Sequence, residues 1–360
     1  MNKRLQRNLI VVFTLIAVCL SAWGAGNSAR LVPLLDLPGG SQYLSYLEKA
    51  ITMANSSIDI LLSDGELADN PLWDKVIAVA ARGVAVRVIL DASDWSESIT
   101  DKNRPTINYL LAHGIPAKFD DPGVTTHAKL VVIDSHLTVL GSSNWNEHAF
   151  TEQAQTDIAV DNPQVGAVFS EYFNRIWNGE LVPRGVRLSI DEISKGQELI
   201  PIPDGPETAN YAHVLLTMMQ RAEKSIHVVM YRASYYPSYT HSLANDILNA
   251  LIAAAGRGVE VRVFLDDCAF YPKSEQANRE AAYYLVDHGI EVRFDDPSAT
   301  THAKLVIIDG RDVILGSTNW NYYSLVRNNE TDIATLGIPA LATAYERFFA
   351  YLWSRGRTVR

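Results

Sequence analysis

Two histidines are each followed two positions later by a lysine, His127 by Lys129 and His302 by Lys304. On an extended segment such residues project from one face, so each imidazole and its ammonium can reach the same ligand. Imidazole is the side chain suited to nucleophilic or proton-transfer work near neutral pH, and an ammonium beside it favours an anionic ligand. Each pair opens a longer cassette, with Asp134 and Gly141-Ser142-Ser143-Asn144 in the first copy and Asp309 and Gly316-Ser317-Thr318-Asn319 in the second.

The residues between these groups must position them. Leu130 to Ile133 and Leu305 to Ile308 are apolar and largely β-branched, which reads as a buried strand ending at an Asp turn. Asp309-Gly310 is a hairpin signal, so Asp134 and Asp309 are expected to serve the turn by hydrogen bonding and not the reaction directly. A second short strand follows, and the Gly-Ser-x-Asn turn brings a hydroxyl and a carboxamide back towards the start of the motif. The cassette is thus a hairpin with its polar groups gathered at one end.

The 360-residue chain is doubled around this unit. Residues 115 to 134 and 290 to 309 align without a gap, as do Asp91 with Asp266 and Thr156-Asp157-Ile158-Ala159 with Thr331-Asp332-Ile333-Ala334. Upstream, Ser57-Ile58 matches Ser225-Ile226 only if the second copy holds extra residues near Tyr231 to His241, an expected loop. Amphipathic helices alternate with short apolar strands, which predicts an α/β fold of two homologous domains, each a mixed, mainly parallel sheet flanked by helices. The expected limits are 30–180 for the first domain and 206–358 for the second, with a Pro- and Gly-punctuated linker over 181–205.

Residues 1–25 are set apart. Lys3, Arg4 and Arg7 precede an uncharged apolar run and small residues at Ala22, Gly24 and Ala25, the pattern of a secretory signal, or of an amino-terminal anchor if uncut. Its removal predicts an exported chain, periplasmic or secreted, that retains Cys268 as its one cysteine and therefore forms no internal disulfide. The net charge of −10 sets the chain against long polyanions, and no basic stripe with interleaved aromatics is visible.

The doubled His-x-Lys-x4-Asp-x6-Gly-Ser-x-Asn pattern resembles the phospholipase D superfamily of phosphodiesterases, from Leu31 to Trp353. The resemblance implies one active site at the pseudo-two-fold seam between the halves, each giving a His, a Lys and an Asn, with no metal or other cofactor. It implies a phosphohistidine on His127, with His302 as general acid and then base. Lys129, Lys304, Asn144 and Asn319 would hold the non-bridging oxygens, assisted by Ser142 and Ser317. An acidic residue commonly orients each imidazole in this superfamily, and the aligned positions are Gln155 and Glu330. Taken within each half, this sets Glu330 beside His302 as the charged acid and Gln155 beside His127 as the neutral nucleophile.

The expected reaction is phospholipid hydrolysis to phosphatidate and a free alcohol at a membrane surface, with headgroup exchange when another alcohol intercepts the intermediate. An exported nuclease acting on nucleic acid by the same mechanism is the alternative, and cardiolipin synthase-like transfer is a second, set lower for want of two clear membrane spans. A non-catalytic binding protein would show a decayed cassette, whereas both are intact. The duplication lets a monomer build the site alone. Tyr231 and Tyr235, in a cluster after a strand end, and Trp145 and Trp320, beside the asparagines, are candidate substrate contacts, the tryptophans equally suited to core packing.

Overall fold

A computed structural model describes residues 20–22, 29–94, 96–180, 198–239, 241–267 and 269–360. Most of the expected signal segment lies outside them. In the first half the elements run β1 (Leu20–Ala22), β2 (Ala29–Asp36), α1 (Gln42–Thr52), β3 (Ser57–Leu62), α2 (Pro71–Ala80), β4 (Ala85–Leu90), α3 (Glu97–Ala112), β5 (Ala117–Phe119), β6 (Lys129–Ile133), β7 (Leu137–Gly141), α4 (Glu147–Thr151), β8 (Gln153–Asp161) and α5 (Pro163–Trp177). The second half repeats them as β9 (Leu199–Asp204), α6 (Asn210–Gln220), β10 (Ser225–Met230), α7 (Leu243–Gly256), β11 (Glu260–Leu265), α8 (Pro272–Asp287), β12 (Glu291–Phe294), β13 (Thr300–Thr301), β14 (Lys304–Ile308), β15 (Asp312–Gly316), α9 (Tyr322–Val326), β16 (Glu330–Thr335), α10 (Pro339–Arg355) and β17 (Arg357–Thr358).

One sheet has the order β1-β2-β8-β7-β6-β3-β4-β5 and the other β17-β12-β11-β10-β14-β15-β16-β9. Both are mixed and flanked by helices, as expected, but they are not mainly parallel. Apart from the short β13-β8 pair, parallel pairing is confined to β3-β4-β5 and to β10-β11-β12, where helices make the crossovers. The cassette hairpin and the strands returning beside it pair antiparallel. The expected linker is also too long at its end, because residues 199–204 form β9 along the edge of β16. Prolines at 201 and 203 suggest a connection when read locally, yet an edge strand tolerates them on its unpaired side.

Apolar residues on both faces of the central strands reflect three packing layers. Val131 and Ile133 of β6 face α1 and α2, whose Tyr43, Leu47, Trp73 and Val76 are buried with them. Leu130 and Val132, on the other face, join Leu305 and Ile307 of β14 in a core shared by both halves. Phe169 and Phe173 of α5 and Tyr345 and Phe349 of α10 fill that shared layer. The two sheets are therefore fixed to each other by a continuous apolar interior, which holds the ends of β6 and β14 in a constant relation.

Candidate active site

Both histidines precede their strands by two residues and lie where the halves meet. The segment before His127 is held by the second half: His127 N–H donates to Asn329 O at 2.9 Å, and Asn329 N–H donates to Thr125 O at 2.9 Å. Reciprocally, β13 pairs with β8, and His302 N–H donates to Ala154 O at 2.9 Å. Each imidazole is thus presented on backbone that belongs, by hydrogen bonding, to the opposite half.

This exchange reverses the pairing expected from the sequence. Glu330 faces His127, with Nδ1 to Oε2 2.9 Å, and Gln155 faces His302, whose Nδ1 lies 3.0 Å from Ser142 O and 3.3 Å from Gln155 Oε1. Counting 28 residues from each His identified the right partners but attached them to the wrong rings. The strands carrying Gln155 and Glu330 each cross the seam, a relation that spacing along one chain does not encode.

The partners fix the tautomers. Although burial alone pushes the Glu330 carboxyl up, the His127 ring and Lys129 bring it below the usual range, so it is an acceptor and His127 Nδ1 carries the proton. Ser317 Oγ donates to the same Oε2 at 2.6 Å, and Asn328 Nδ2 to Oε1 at 3.1 Å. His302 Nδ1 meets carbonyl oxygens, which requires a proton there as well. On both rings Nδ1 is thus engaged, which leaves Nε2 as the nitrogen for chemistry.

Burial lowers the His127 pKa, with Glu330 opposing, and lowers that of His302 much further, where Lys304, Lys129 and His127 add repulsion. His127 keeps 20% of its side chain exposed, whereas His302 is 7% exposed. Lys129 and Lys304 are fully buried and reach back to His127 O and His302 O. Burial brings Lys129 down to about 8, and burial together with Lys129 holds Lys304 well below an ordinary ammonium. The two desolvated cations repel one another, with Glu330 and Asp157 opposing the fall in both. Asn144 and Asn319 each have a buried Oδ1 without a hydrogen-bond partner.

Ser142 and Ser317 support the orienting groups. Ser142 Oγ donates to Gln155 Oε1 at 2.6 Å and accepts from Thr156 N–H, and Ser317 does the same with Glu330 and Thr331. Asp134 and Asp309 lie at the far ends of β6 and β14. Asp134 accepts from the backbone of Asn55, Ser56 and Ser57, and Asp309 from Glu223, Lys224 and Ser225. Burial alone would raise the Asp134 pKa, but those donors take it down to about 2.

Of the aromatic candidates, Tyr231 reaches the site: its ring centroid is 4.6 Å from that of His302, and Lys304 Nζ lies 4.8 Å above the ring. Tyr235 instead stacks on Tyr284 at 3.9 Å. Trp145 and Trp320 are fully buried core residues whose indole N–H groups donate to Tyr43 and Tyr211, so they do not wall the cleft. Each follows its Asn on extended backbone and points to the opposite side.

Several buried carboxyls had no assigned role. Asp157 Oδ1 accepts from Ser143 N–H and Oδ2 from Ser143 Oγ, and Asp332 binds Thr318 in the same way, which fixes the turns bearing Asn144 and Asn319. The motif glycines follow from this, because a Cβ on Gly141 or Gly316 would lie 2.3 Å from Asp157 Oδ1 or Asp332 Oδ1. Asp91 and Asp266 accept from Thr126 N–H and Thr301 N–H, immediately before each histidine. Asp120 and Asp295 stand beside them; burial and Asp91 raise Asp120 to about 7, and burial raises Asp295 to about 6. The repeat marks all six positions, but their burial is a tertiary property.

Burial raises Asp157 to about 7, against ~3.9 for an unfolded Asp. The folded chain then binds the proton more tightly, so this stabilisation is full below about pH 4 and is lost as pH rises through about 7. Asp157→Asn is expected to flatten the fall in Tm over that window. A slope equal to that of the wild type in thermal melts would contradict the assignment.

A family model described as "Cardiolipin synthase, PLD-like domain" matches residues 47–177 and 215–353. The chain is 27% identical over 337 residues to cardiolipin synthase B of Shigella flexneri, covering 87% of this chain and 77% of that protein. It is 28% identical over 182 residues to mitochondrial cardiolipin hydrolase of Homo sapiens, covering 49% of this chain and 69% of that one. The solved phosphatidylserine synthase of Haemophilus influenzae Rd KW20 shares the fold, with a TM-score of 0.69 at 13% identity over 91% of this chain and 87% of that one. With both cassettes complete and joined across one seam, the chain belongs to the phospholipase D superfamily, as an enzyme that acts on phosphodiesters.

Proposed function

We propose that the protein is a phosphatidyl transferase of the cardiolipin synthase type, passing a phosphatidyl group from one phospholipid to the hydroxyl of another. The observation that carries this reading is that the similarity to cardiolipin synthase B extends through both halves of the chain, over 87% of its length. Transfer therefore displaces hydrolysis as the main reaction. The lack of two clear membrane spans bears on anchoring and not on chemistry. Among the described residues no helix is long and apolar enough to cross a membrane.

In the first step His127 Nε2 attacks phosphorus in line, the N–P bond forms and the P–O bond to the departing alcohol breaks. His302 Nε2 gives its proton to that oxygen. In the second step the acceptor hydroxyl loses its proton to His302 Nε2, its oxygen attacks phosphorus and the N–P bond breaks. The nucleophile assignment to His127 stands on a different ground from the within-half pairing. Attack places positive charge on the ring, and Glu330 is positioned to stabilise it, as the buried carboxylate of a catalytic triad stabilises its imidazolium. His302 has neutral partners and a low pKa; the negative charge of a bound diester would raise that pKa and load the proton, and Lys129, Lys304, Asn144 and Asn319 would hold the non-bridging oxygens.

Purified protein with phosphatidylglycerol vesicles and a chelator is expected to yield cardiolipin and glycerol. Quenched reactions should carry the phosphatidyl group on His127 by peptide mapping, and His127→Ala should form no adduct or product. Phosphatidate as the sole product would restore hydrolysis. Digestion of single-stranded DNA with no lipid turnover would overturn both lipid readings, and an adduct on His302 would exchange the two roles.

A further inference from the structure

The duplication lets one half serve as a control for the other, and the loops around the cleft have diverged in one direction. In the second half they expose large aromatic residues: Tyr239 is 66% exposed, Phe270 70%, Tyr271 40%, Tyr322 49% and Tyr323 67%. Tyr322 and Tyr323 open α9, where α4 of the first half has Glu147 and His148. Tyr239 lies in the stretch that the first half lacks, Ser96 stands where the second half has Tyr271, and Trp95 stands where it has Phe270.

These aromatics form two groups, one of which reaches the site. Tyr236 Oη accepts from Tyr322 N–H at 3.1 Å, its ring meets Tyr239 at 6.1 Å, and Tyr322 meets Tyr323 at 5.5 Å. Tyr231 touches His302 on one side and the Tyr271 ring, at 6.3 Å, on the other. One group therefore links the reacting imidazole to the exposed Tyr271 ring, and the other lies at the exposed start of α9.

We infer that this aromatic lip seats the enzyme on the interfacial region of a phospholipid bilayer, with the cleft mouth turned to the headgroups. The inference rests on the transferase reading, since a substrate with two acyl chains presents its phosphodiester at the bilayer surface. Amphipathic tyrosine rings suit the headgroup level, and Phe270 adds a purely apolar side chain. The start of α4 in the first half, with Glu147 and His148, would stay clear of the surface, so the chain would sit tilted on its second half.

The test compares Phe270→Ser/Tyr323→Ser with the control Glu147→Ser/His148→Ser at the start of α4 in the full chain. Cosedimentation with equimolar phosphatidylglycerol and phosphatidylcholine vesicles is expected to fall about tenfold or more in the first variant, with a matching loss of vesicle turnover. Its hydrolysis of a soluble chromogenic diester should persist, and the control should behave as wild type throughout. Undiminished vesicle binding by the first variant would overturn the proposal, as would an equal loss on the soluble diester, which would make the lip part of the fold. Binding through the lip without lipid turnover by the wild type would refute the transferase reading and leave the docking surface standing.

Discussion

Glu330→Gln is expected to lower kcat by about 10^3- to 10^4-fold with the fold intact, the scale seen when a triad carboxylate becomes a carboxamide. The side chain is fully buried, and its Oε2 lies 2.9 Å from His127 Nδ1. Through its one oxygen a glutamine can still accept from Ser317 Oγ and His127 Nδ1, and only the bond from Asn328 Nδ2 is lost. What disappears is the charge that offsets the cation formed on His127 during attack. Glu330 also raises the pKa of His127 against the effect of burial. Its loss should lower that pKa further and move the acid limb of the rate profile to lower pH. A kcat within tenfold of wild type would remove Glu330 from the chemistry. An unshifted acid limb with reduced kcat would mean that the limb belongs to another group.

Lys304→Met should cut kcat/KM by about 10^2- to 10^3-fold, the usual cost of losing one preorganised donor to a developing oxyanion, and at the same time raise Tm. Lys304 is 1% exposed, and burial and Lys129 hold its pKa well below an ordinary ammonium. Its folded pKa is thus below its unfolded one. The resulting destabilisation is present at neutral pH and is relieved as pH rises through the folded value. The variant loses the bond to His302 O, about 1 kcal/mol. Glu330, Asp266 and Asp157 attract Lys304, but burial and Lys129 outweigh them, so exchanging the ammonium for a matched apolar chain is expected to gain more than the lost bond costs. Inorganic phosphate should stabilise the wild type more than the variant in thermal melts. A lower Tm for Lys304→Met would show that the two lysines are better compensated than their burial indicates.

The contrast between these two sites separates local from long-range information. The His-x-Lys spacing, the hairpin after it and the Asp turn are legible because they depend on the two-residue period of a strand and on turn chemistry within about 20 residues. Asp134 and Asp309 follow that logic and lie where it puts them, bound to backbone at the far ends of their strands. Trp145 and Trp320 show its limit, since adjacency to a site residue says nothing about which side of the chain the indole takes. The β9 strand was obscured because Pro201 and Pro203 carry a local turn signal that an edge position overrides.

The sequence by itself determined that the cassette occurs twice, which side chains it offers and the kind of anion they suit, because these depend on residue type and short spacing. The tertiary structure alone decided that Glu330 serves His127 and that Gln155 and the Ser142 carbonyl serve His302. The reason lies in the seam. β13 pairs with β8, and the segment before His127 pairs with the start of β16, so each ring takes its partner from a strand of the other half. Hydrogen bonds between strands remote in sequence set that choice, and two nearly identical halves carry no local mark saying which carboxylate or carboxamide faces which imidazole.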